Sequence, residues 1–183
     1  MTNPSPSLTR ILVVDDNPVT VESSCRVLIQ AGYEVRKAFN GTDALRAVKE
    51  HHPDLILLDR EMPGISGLDV CRQIKEDPAL AGTFVVFASA TRLEVEEQVR
   101  GLDAGADGYI VRPIGNEELR ARVDAYVRIA KLNRQLELRT RELQEANQVL
   151  TDSRRAALSL MEDALRSNEL LARASDALRE SEI

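Results

Sequence analysis

The stretch Leu55-Ile-Leu-Leu-Asp59 is a run of four aliphatic residues that ends abruptly in a carboxylate. Two other stretches share this pattern: Ile11-Leu-Val-Val-Asp15-Asp16 ends in two carboxylates, and Val85-Val-Phe-Ala-Ser89 ends in a hydroxyl. Short apolar runs without polar alternation are typical of strands buried on both faces, as in parallel sheets covered by helices. The three runs therefore predict central strands whose polar endings meet at one edge of a sheet.

Segments with apolar residues at helical spacing separate these runs, the last of them carrying Leu93, Val95, Val99 and Leu102. Strand and helix thus alternate from Arg10 to about Arg128, which predicts an α/β fold with a doubly wound parallel sheet. We place its five strands near residues 11–14, 34–39, 55–58, 84–88 and 108–111.

The predicted edge of the sheet gathers charged and polar side chains. In doubly wound sheets, ligands bind at the carboxyl ends of the strands, where Asp15, Asp16 and Asp59 would converge. Three crowded carboxylates repel one another unless a cation neutralises them. Because the pattern supplies only oxygen ligands, Mg²⁺ is favoured over zinc. With the hydroxyl of Ser89 and the guanidinium of Arg112, such a site is suited to hold a phosphoryl group, and one aspartate could accept it.

Each of these residues, taken alone, also has a purely structural interpretation. Asp15 and Asp16 precede Asn17-Pro18 and could start a helix, and Ser89 could cap one. Asp59 could be an ordinary turn residue. The four residues together favour the functional interpretation. Helix capping and turn formation give no reason for all four to follow strands of one sheet.

Four sequence motifs occur in the same order as in a known protein family, which makes the resemblance specific. They are the acidic pair Asp15-Asp16, the segment from Asp54 through Asp59-Arg-Glu-Met-Pro to Gly67, the Ser89-Ala90 pair, and the segment from Gly105 to Arg112-Pro113. Over roughly Arg10 to Arg128, the chain resembles the receiver domains of bacterial two-component response regulators. The resemblance implies a flavodoxin-like fold and a signalling module that is not an enzyme. It also implies that a histidine kinase or a phosphotransfer protein delivers a phosphoryl group to Asp59.

The resemblance further implies roles for the surrounding residues. Asp16 and Asp59 would bind Mg²⁺ directly, together with the backbone carbonyl of Glu61, whereas Asp15 would act largely through water. Ser89 would donate a hydrogen bond to a phosphoryl oxygen, and Tyr109 would be the aromatic switch. The family has Lys where this chain has Arg112. The positive charge is kept, but a planar guanidinium is not interchangeable with an ammonium group.

The sequence changes character after the predicted receiver. From Asn116 onward it contains no Pro or Gly and is rich in Ala, Leu, Glu and Arg, which predicts one long helix. Heptad a positions are occupied by Ile129, Leu136, Leu143, Leu150, Ala157, Ala164, Leu171 and Leu178. This repeat predicts a left-handed coiled coil about 75 Å long, at about 1.5 Å per residue, and therefore a homodimer. We expect parallel pairing, with both receivers at one end, but the heptads alone leave antiparallel pairing open. The d positions are interrupted by Arg139, Ser153 and Ser167, so the packing is imperfect. Two interpretations therefore remain open: a static stalk, or a helix that transmits a signal by shifting its register.

These observations divide the chain into a disordered lead (1–9), a receiver (10–128) and a coiled-coil helix (129–183) that could link to a downstream domain. A net charge of -6, a pI near 5.1 and mixed charges along the helix predict no nucleic-acid partner. No segment has the character of a signal peptide or a membrane span, and Cys25 and Cys71 fit no metal or disulfide pattern. We therefore expect a cytoplasmic protein without a membrane partner.

Two alternatives to a working phosphoacceptor follow from the same residues. The receiver could be degenerate, never phosphorylated, and serve as a dimeric scaffold. Alternatively, the chain could be the amino-terminal part of a hybrid sensor histidine kinase, since residues 177–183 resemble the lead-in helix that precedes sensory domains.

Overall fold

The computed structural model describes residues 9–89 and 104–181, and the side chains up to residue 173. The predicted helix around residues 93–102 and almost all of the amino-terminal lead lie outside the described residues. The elements in chain order are β1 (Arg10–Val14), α1 (Pro18–Gln30), β2 (Glu34–Ala38), α2 (Gly41–His51), β3 (Leu55–Leu58), α3 (Gly67–Glu76), β4 (Phe84–Ser89), β5 (Gly108–Val111) and the C-terminal helix (Asn116–Ser181).

The five strands form one parallel sheet in the order β2-β1-β3-β4-β5, which confirms the predicted fold class. Each strand differs from its predicted bounds by at most one residue at either end: β1 begins at Arg10, β2 ends at Ala38, and β4 continues to Ser89. The chain runs from β1 outward to β2 and then returns to β3 on the other side of β1. Strand order therefore reverses between β1 and β3, where doubly wound sheets bind ligands.

The central strands separate two hydrophobic cores. In β1, Ile11 and Val13 face a core shared with α1 and the C-terminal helix, whereas Leu12 and Val14 face a core shared with α2 and α3. All four residues of β3 (Leu55–Leu58) are fully buried. Helices cover both faces of this strand, so each of its positions needs an apolar side chain.

The C-terminal helix belongs to two compact units, one that ends at Arg134 and one that begins at Gln135. In the first unit, Leu119, Val123 and Val127 are buried in the core beside α1. The Arg134 guanidinium lies 3.3 Å from the Asp54 carboxylate, so residues of the receiver fold contact this helix as far as its nineteenth residue, from 116 to 134. None of the described helices combines the length and the apolar character that crossing a membrane requires.

Gly67 begins α3 at a point where the helix passes close to the end of β3. A Cβ atom at this position would lie 2.0 Å from the backbone oxygen of Asp59 and 2.9 Å from the Cα of Arg60. Gly67→Ala is therefore expected to lower the free energy of unfolding by about 1–3 kcal/mol, because backbone atoms must move. The better helix propensity of Ala, about 1 kcal/mol, opposes only part of this cost.

Gly82→Ala is the matched control, since no atom beyond its two chain neighbours lies within 4 Å of its Cβ position. Its expected change in the free energy of unfolding is within about 0.5 kcal/mol. Urea unfolding followed by circular dichroism measures both variants. Equal stability of the two would contradict the close contact between α3 and the end of β3.

Candidate functional site: a carboxylate cluster at the edge of the sheet

Asp15, Asp16 and Asp59 form a carboxylate cluster at the carboxyl ends of β1 and β3. Their oxygen atoms lie within 4.8 Å of one another. This proximity follows from the strand register: Val14 pairs with Leu58, so the residues that follow each strand are neighbours. The Asp59 N–H also donates to the Val14 carbonyl at 2.8 Å, which continues the ladder into the site. Asp15 is buried, Asp59 is half-buried and Asp16 is exposed.

The environment raises the pKa of Asp59 to about 6. Loss of hydration on burial is the main cause, and the negative charge of Asp15 adds to it. A hydrogen bond from the Arg60 N–H and the positive charge of Arg112 act in the opposite direction. The oxygen-only donor set and the mutual repulsion both fit a hard divalent cation.

Arg112 follows β5 and forms an ion pair with Asp15. Its second guanidinium nitrogen lies 3.5 Å from the hydroxyl of Ser24 on α1. The other oxygen of Asp15 accepts a hydrogen bond from the Asn17 N–H at 2.9 Å. Both oxygens of Asp15 are thus engaged with the protein, whereas Asp16 is exposed.

Ser89 and Tyr109 lie on β4 and β5, the two strands that follow β3 in the sheet order. Ser89 is the buried last residue of β4, and its carbonyl accepts a hydrogen bond from the Arg112 N–H at 2.9 Å. Tyr109 lies in β5, with its ring centroid 5.3 Å from that of Phe87. The backbone of Tyr109 bonds to Tyr126 of the C-terminal helix: its N–H donates to the Tyr126 hydroxyl at 3.3 Å, and that hydroxyl donates to its carbonyl at 3.0 Å.

A cavity of about 560 Å³ opens beside the cluster. Asp16, Arg60, Glu61 and Ser66 are among the residues that line it. Glu61 therefore lies on the same side of the site as Asp16, which is where a backbone carbonyl ligand is expected. The carboxylate of Glu61 pairs with the guanidinium of Arg60.

Ser24 and Tyr126 are two contributors that the sequence analysis did not identify. A serine on a helix is too ordinary to signal a contact with Arg112. For Tyr126 the only indication is Gly108, where a Cβ atom would lie 2.6 Å from the Tyr126 ring. A glycine in a short strand marks a place where another group approaches closely, but it does not say which group.

Comparison with known proteins agrees with the fold. Residues 11–124 match the response regulator receiver domain, and the chain belongs to this family. It is 42% identical over 123 residues to the response regulator MprA of Mycobacterium ulcerans, covering 67% of this chain and 52% of that protein. It is 42% identical over 119 residues to the DNA-binding response regulator MtrA of Mycolicibacterium smegmatis, covering 65% of this chain and 50% of that protein. The chain thus spans about half the length of these relatives.

A similar solved structure is the receiver domain protein (CheY-like) from Methanospirillum hungatei JF-1. Its TM-score is 0.65 at 26% sequence identity, covering 69% of this chain and 99% of that chain. The family match and this structure confirm the resemblance to response regulator receivers and the flavodoxin-like sheet order.

The relatives overturn the expectation that the protein has no nucleic-acid partner. Several relatives at 42–43% identity are named as DNA-binding response regulators, so that expectation was wrong. It rested on the net charge of -6, the pI near 5.1 and the mixed charges along the C-terminal helix. Contact with DNA needs only a local group of basic residues, and an acidic receiver elsewhere in the protein does not exclude one.

Asp59→Asn is expected to stabilise the metal-free protein above about pH 6. In the unfolded chain the carboxyl has an ordinary pKa, near 3.8, whereas the folded state raises it to about 6. The stabilisation that comes from its bound proton is complete below about pH 4 and is lost as the pH rises through about 6. The gain at about pH 7.5 should be on the order of 1 kcal/mol, after allowance for the partial exposure of Asp59.

Urea unfolding with a chelator, at about pH 7.5 and about pH 4.5, measures this gain. The gain should shrink at the lower pH, where the wild-type carboxyl stays largely protonated. Asp152→Asn, on the exposed part of the C-terminal helix, is the control and should show no gain at either pH. A variant Asp59→Asn that is less stable than the wild type at about pH 7.5 would contradict the cost inferred for a charged Asp59 that is half-buried beside Asp15.

Proposed function

We propose that this protein takes a phosphoryl group onto Asp59 from a histidine kinase or a phosphotransfer protein in the cytoplasm, and that the C-terminal helix carries the signal as a parallel dimer. The observation that carries the proposal is the carboxylate cluster: a half-buried acceptor lies beside two more carboxylates at the point of strand reversal. Membership of the receiver family supports the same activity.

The residues of the cluster fit a bound Mg²⁺. Asp16 and Asp59 offer carboxylate oxygens, and the backbone carbonyl of Glu61 is the third proposed ligand. Asp15 contributes mainly through water, since Arg112 and Asn17 already engage its oxygens. When bound, Mg²⁺ supplies the positive charge that offsets repulsion between the cluster and an incoming phosphoryl group.

Phosphoryl transfer requires a positioned nucleophile and groups that accept the charge of the transferred oxygens. A carboxylate oxygen of Asp59 forms the new bond to phosphorus while the bond from phosphorus to the donor nitrogen breaks. Ser89, at the end of the adjacent β4, provides a hydroxyl for one phosphoryl oxygen. Arg112 provides positive charge from the end of β5, and its ion pair with Asp15 holds the guanidinium in place.

Dimerisation is proposed from the apolar side chains that the C-terminal helix exposes. Ile129 and Leu132 are 43% and 58% exposed. They follow Val127 and Ala130 by two residues, about 200° around the helix, so they lie on the face opposite the receiver core. A second copy could therefore pair with this face without displacing the receiver.

The same heptad series continues along the second unit. Leu136, Leu143, Leu150 and Leu171 are each about two thirds exposed in the single chain. A stripe of this length is larger than monomeric proteins usually expose, and a second copy of the same helix offers the matching heptads. Parallel pairing places both receivers at one end of the dimer.

Phosphate uptake tests the proposed acceptor. Incubation with acetyl phosphate and Mg²⁺, followed by intact mass measurement, should add one phosphoryl group to the wild type and none to Asp59→Asn. Asp152→Asn serves as the matched aspartate control and should gain phosphate as the wild type does, and a chelator should prevent the reaction. Uptake by Asp59→Asn at the wild-type rate, or uptake unaffected by chelation, would refute the assignment. A wild type that takes up nothing would favour the degenerate scaffold.

Sedimentation of two leucine variants tests the dimer. Leu143→Glu places a charge at a heptad a position and should weaken the dimer at least tenfold, a cost of about 1.4 kcal/mol or more. Leu138→Glu is the matched control, because Leu138 is 55% exposed but lies off the a and d positions. Truncation after Arg134 should leave a monomeric receiver that still takes up phosphate. A truncated protein that stays dimeric would move the interface onto the receiver.

Contact with DNA is a second candidate function, favoured by the names of the relatives. Fluorescence anisotropy with a labelled DNA duplex at low salt tests it on the full chain. Binding that weakens steeply as salt rises would support DNA as a direct partner. If no binding occurs, we infer that the relatives contact DNA through the half of their length that this chain does not match.

A further inference from the structure

We propose that Tyr126 is a positioning residue whose hydroxyl couples the backbone of Tyr109 to the C-terminal helix, so that a change at Asp59 reaches this helix through β5. The inference rests on the proposed phosphorylation of Asp59 and deepens it by naming the connection to the helix. The two hydrogen bonds between Tyr126 and Tyr109 carry it.

The connection uses backbone groups that an edge strand leaves available. β5 pairs only with β4, so one side of its backbone has no neighbouring strand among the residues that the structure describes. The Tyr126 hydroxyl accepts from the Tyr109 N–H at 3.3 Å and donates to the Tyr109 carbonyl at 3.0 Å. A single side chain thus takes the part that the next strand of a sheet would play.

The packing around Tyr126 allows this approach and holds the ring. A Cβ atom on Gly108 would lie 2.6 to 2.9 Å from Cε1, Cζ and the hydroxyl oxygen of Tyr126, so the contact requires glycine there. The ring of Phe84 on β4 lies at a centroid distance of 5.9 Å. On the same helix, Val123 and Val127 are buried in the core, which fixes the backbone that carries Tyr126.

A movement at the phosphorylation site has a short physical path to this contact. The Tyr109 ring packs against Phe87, two residues before Ser89, and the Ser89 carbonyl bonds to the residue that follows β5. When Tyr109 shifts, its backbone either carries Tyr126 with it or breaks both hydrogen bonds. Tyr126 therefore transmits a change in the position of β5 to the C-terminal helix, which also carries the exposed heptad residues.

A second tyrosine provides the matched control. Tyr33, which precedes β2, donates its hydroxyl to Asp124 of the same helix at 2.5 Å. This bond fastens the helix at a point distant from β5 in the sheet order. Tyr33→Phe and Tyr126→Phe each remove one hydroxyl that bonds to or from the C-terminal helix, but only Tyr126→Phe cuts the link to Tyr109.

The test uses the full chain, labelled for nuclear magnetic resonance, with and without Mg²⁺ and acetyl phosphate. In the unphosphorylated protein, the Tyr109 amide should exchange with solvent about 2- to 10-fold faster in Tyr126→Phe than in the wild type, as expected for the loss of one hydrogen bond. In Tyr33→Phe its exchange should equal that of the wild type. On phosphorylation, the chemical-shift changes of helix residues 119–134 should fall by at least half in Tyr126→Phe and persist in Tyr33→Phe.

Intact mass on the same samples separates this inference from the proposed function. Equal phosphate uptake by the wild type and Tyr126→Phe, with a reduced helix response only in Tyr126→Phe, supports the coupling. A full helix response in Tyr126→Phe, or unchanged exchange of the Tyr109 amide, overturns the coupling and leaves the proposed function standing. If the wild type takes up no phosphate, the proposed function fails and the coupling of phosphorylation to the helix fails with it.

Discussion

Electrostatic repulsion within the carboxylate cluster is the constraint on which the rest of the site depends. The register between β1 and β3 fixes Asp15 and Asp59 side by side, and neither strand can shift without unpacking a core on both faces of the sheet. The protein relieves part of the repulsion with Arg112, which pairs with Asp15. Burial, together with the repulsion that remains, raises the pKa of Asp59. In our account a cation relieves this repulsion and lets the cluster hold a phosphoryl group.

The C-terminal helix packs against the receiver core near its beginning and exposes apolar side chains farther along. Up to Ala130 one of its faces packs against the receiver core, while Ile129 and Leu132 lie on the opposite face. Because a helix is stiff over such a short distance, a displacement of the docked face would also move Ile129 and Leu132. The contact between Tyr126 and Tyr109 lies near the beginning of this element, where β5 meets it.

The strands were the most predictable part of the fold. A strand covered by helices on both faces needs apolar residues at every position, and Leu55–Leu58 satisfies that need without ambiguity. The convergence of Asp15, Asp16 and Asp59 followed from the same reasoning, because parallel strands bring their carboxyl ends to one edge. The heptads predicted a long helix, but they did not show that its receiver contacts extend to Arg134.

What the sequence did not reveal depends on contacts between distant positions. Tyr126 and Tyr109 are 17 residues apart, and Arg112 and Ser24 are 88 residues apart. Nothing in the local pattern of either member indicates its partner. The expectation about nucleic acid failed for a different reason, since neither an acidic net charge nor mixed charges along the helix excludes contact with DNA through a small group of basic residues.

Isothermal titration of Mg²⁺ into the full chain tests the central claim most directly, since the claim is that the carboxylate cluster is a cation site. We expect one ion bound per chain, binding weakened at least tenfold by Asp16→Asn, and binding unchanged by Asp152→Asn. Asp16 is the right position to change because it is exposed and contributes little to the core. Equal Mg²⁺ binding by the wild type and Asp16→Asn, or no binding by the wild type, would contradict the account.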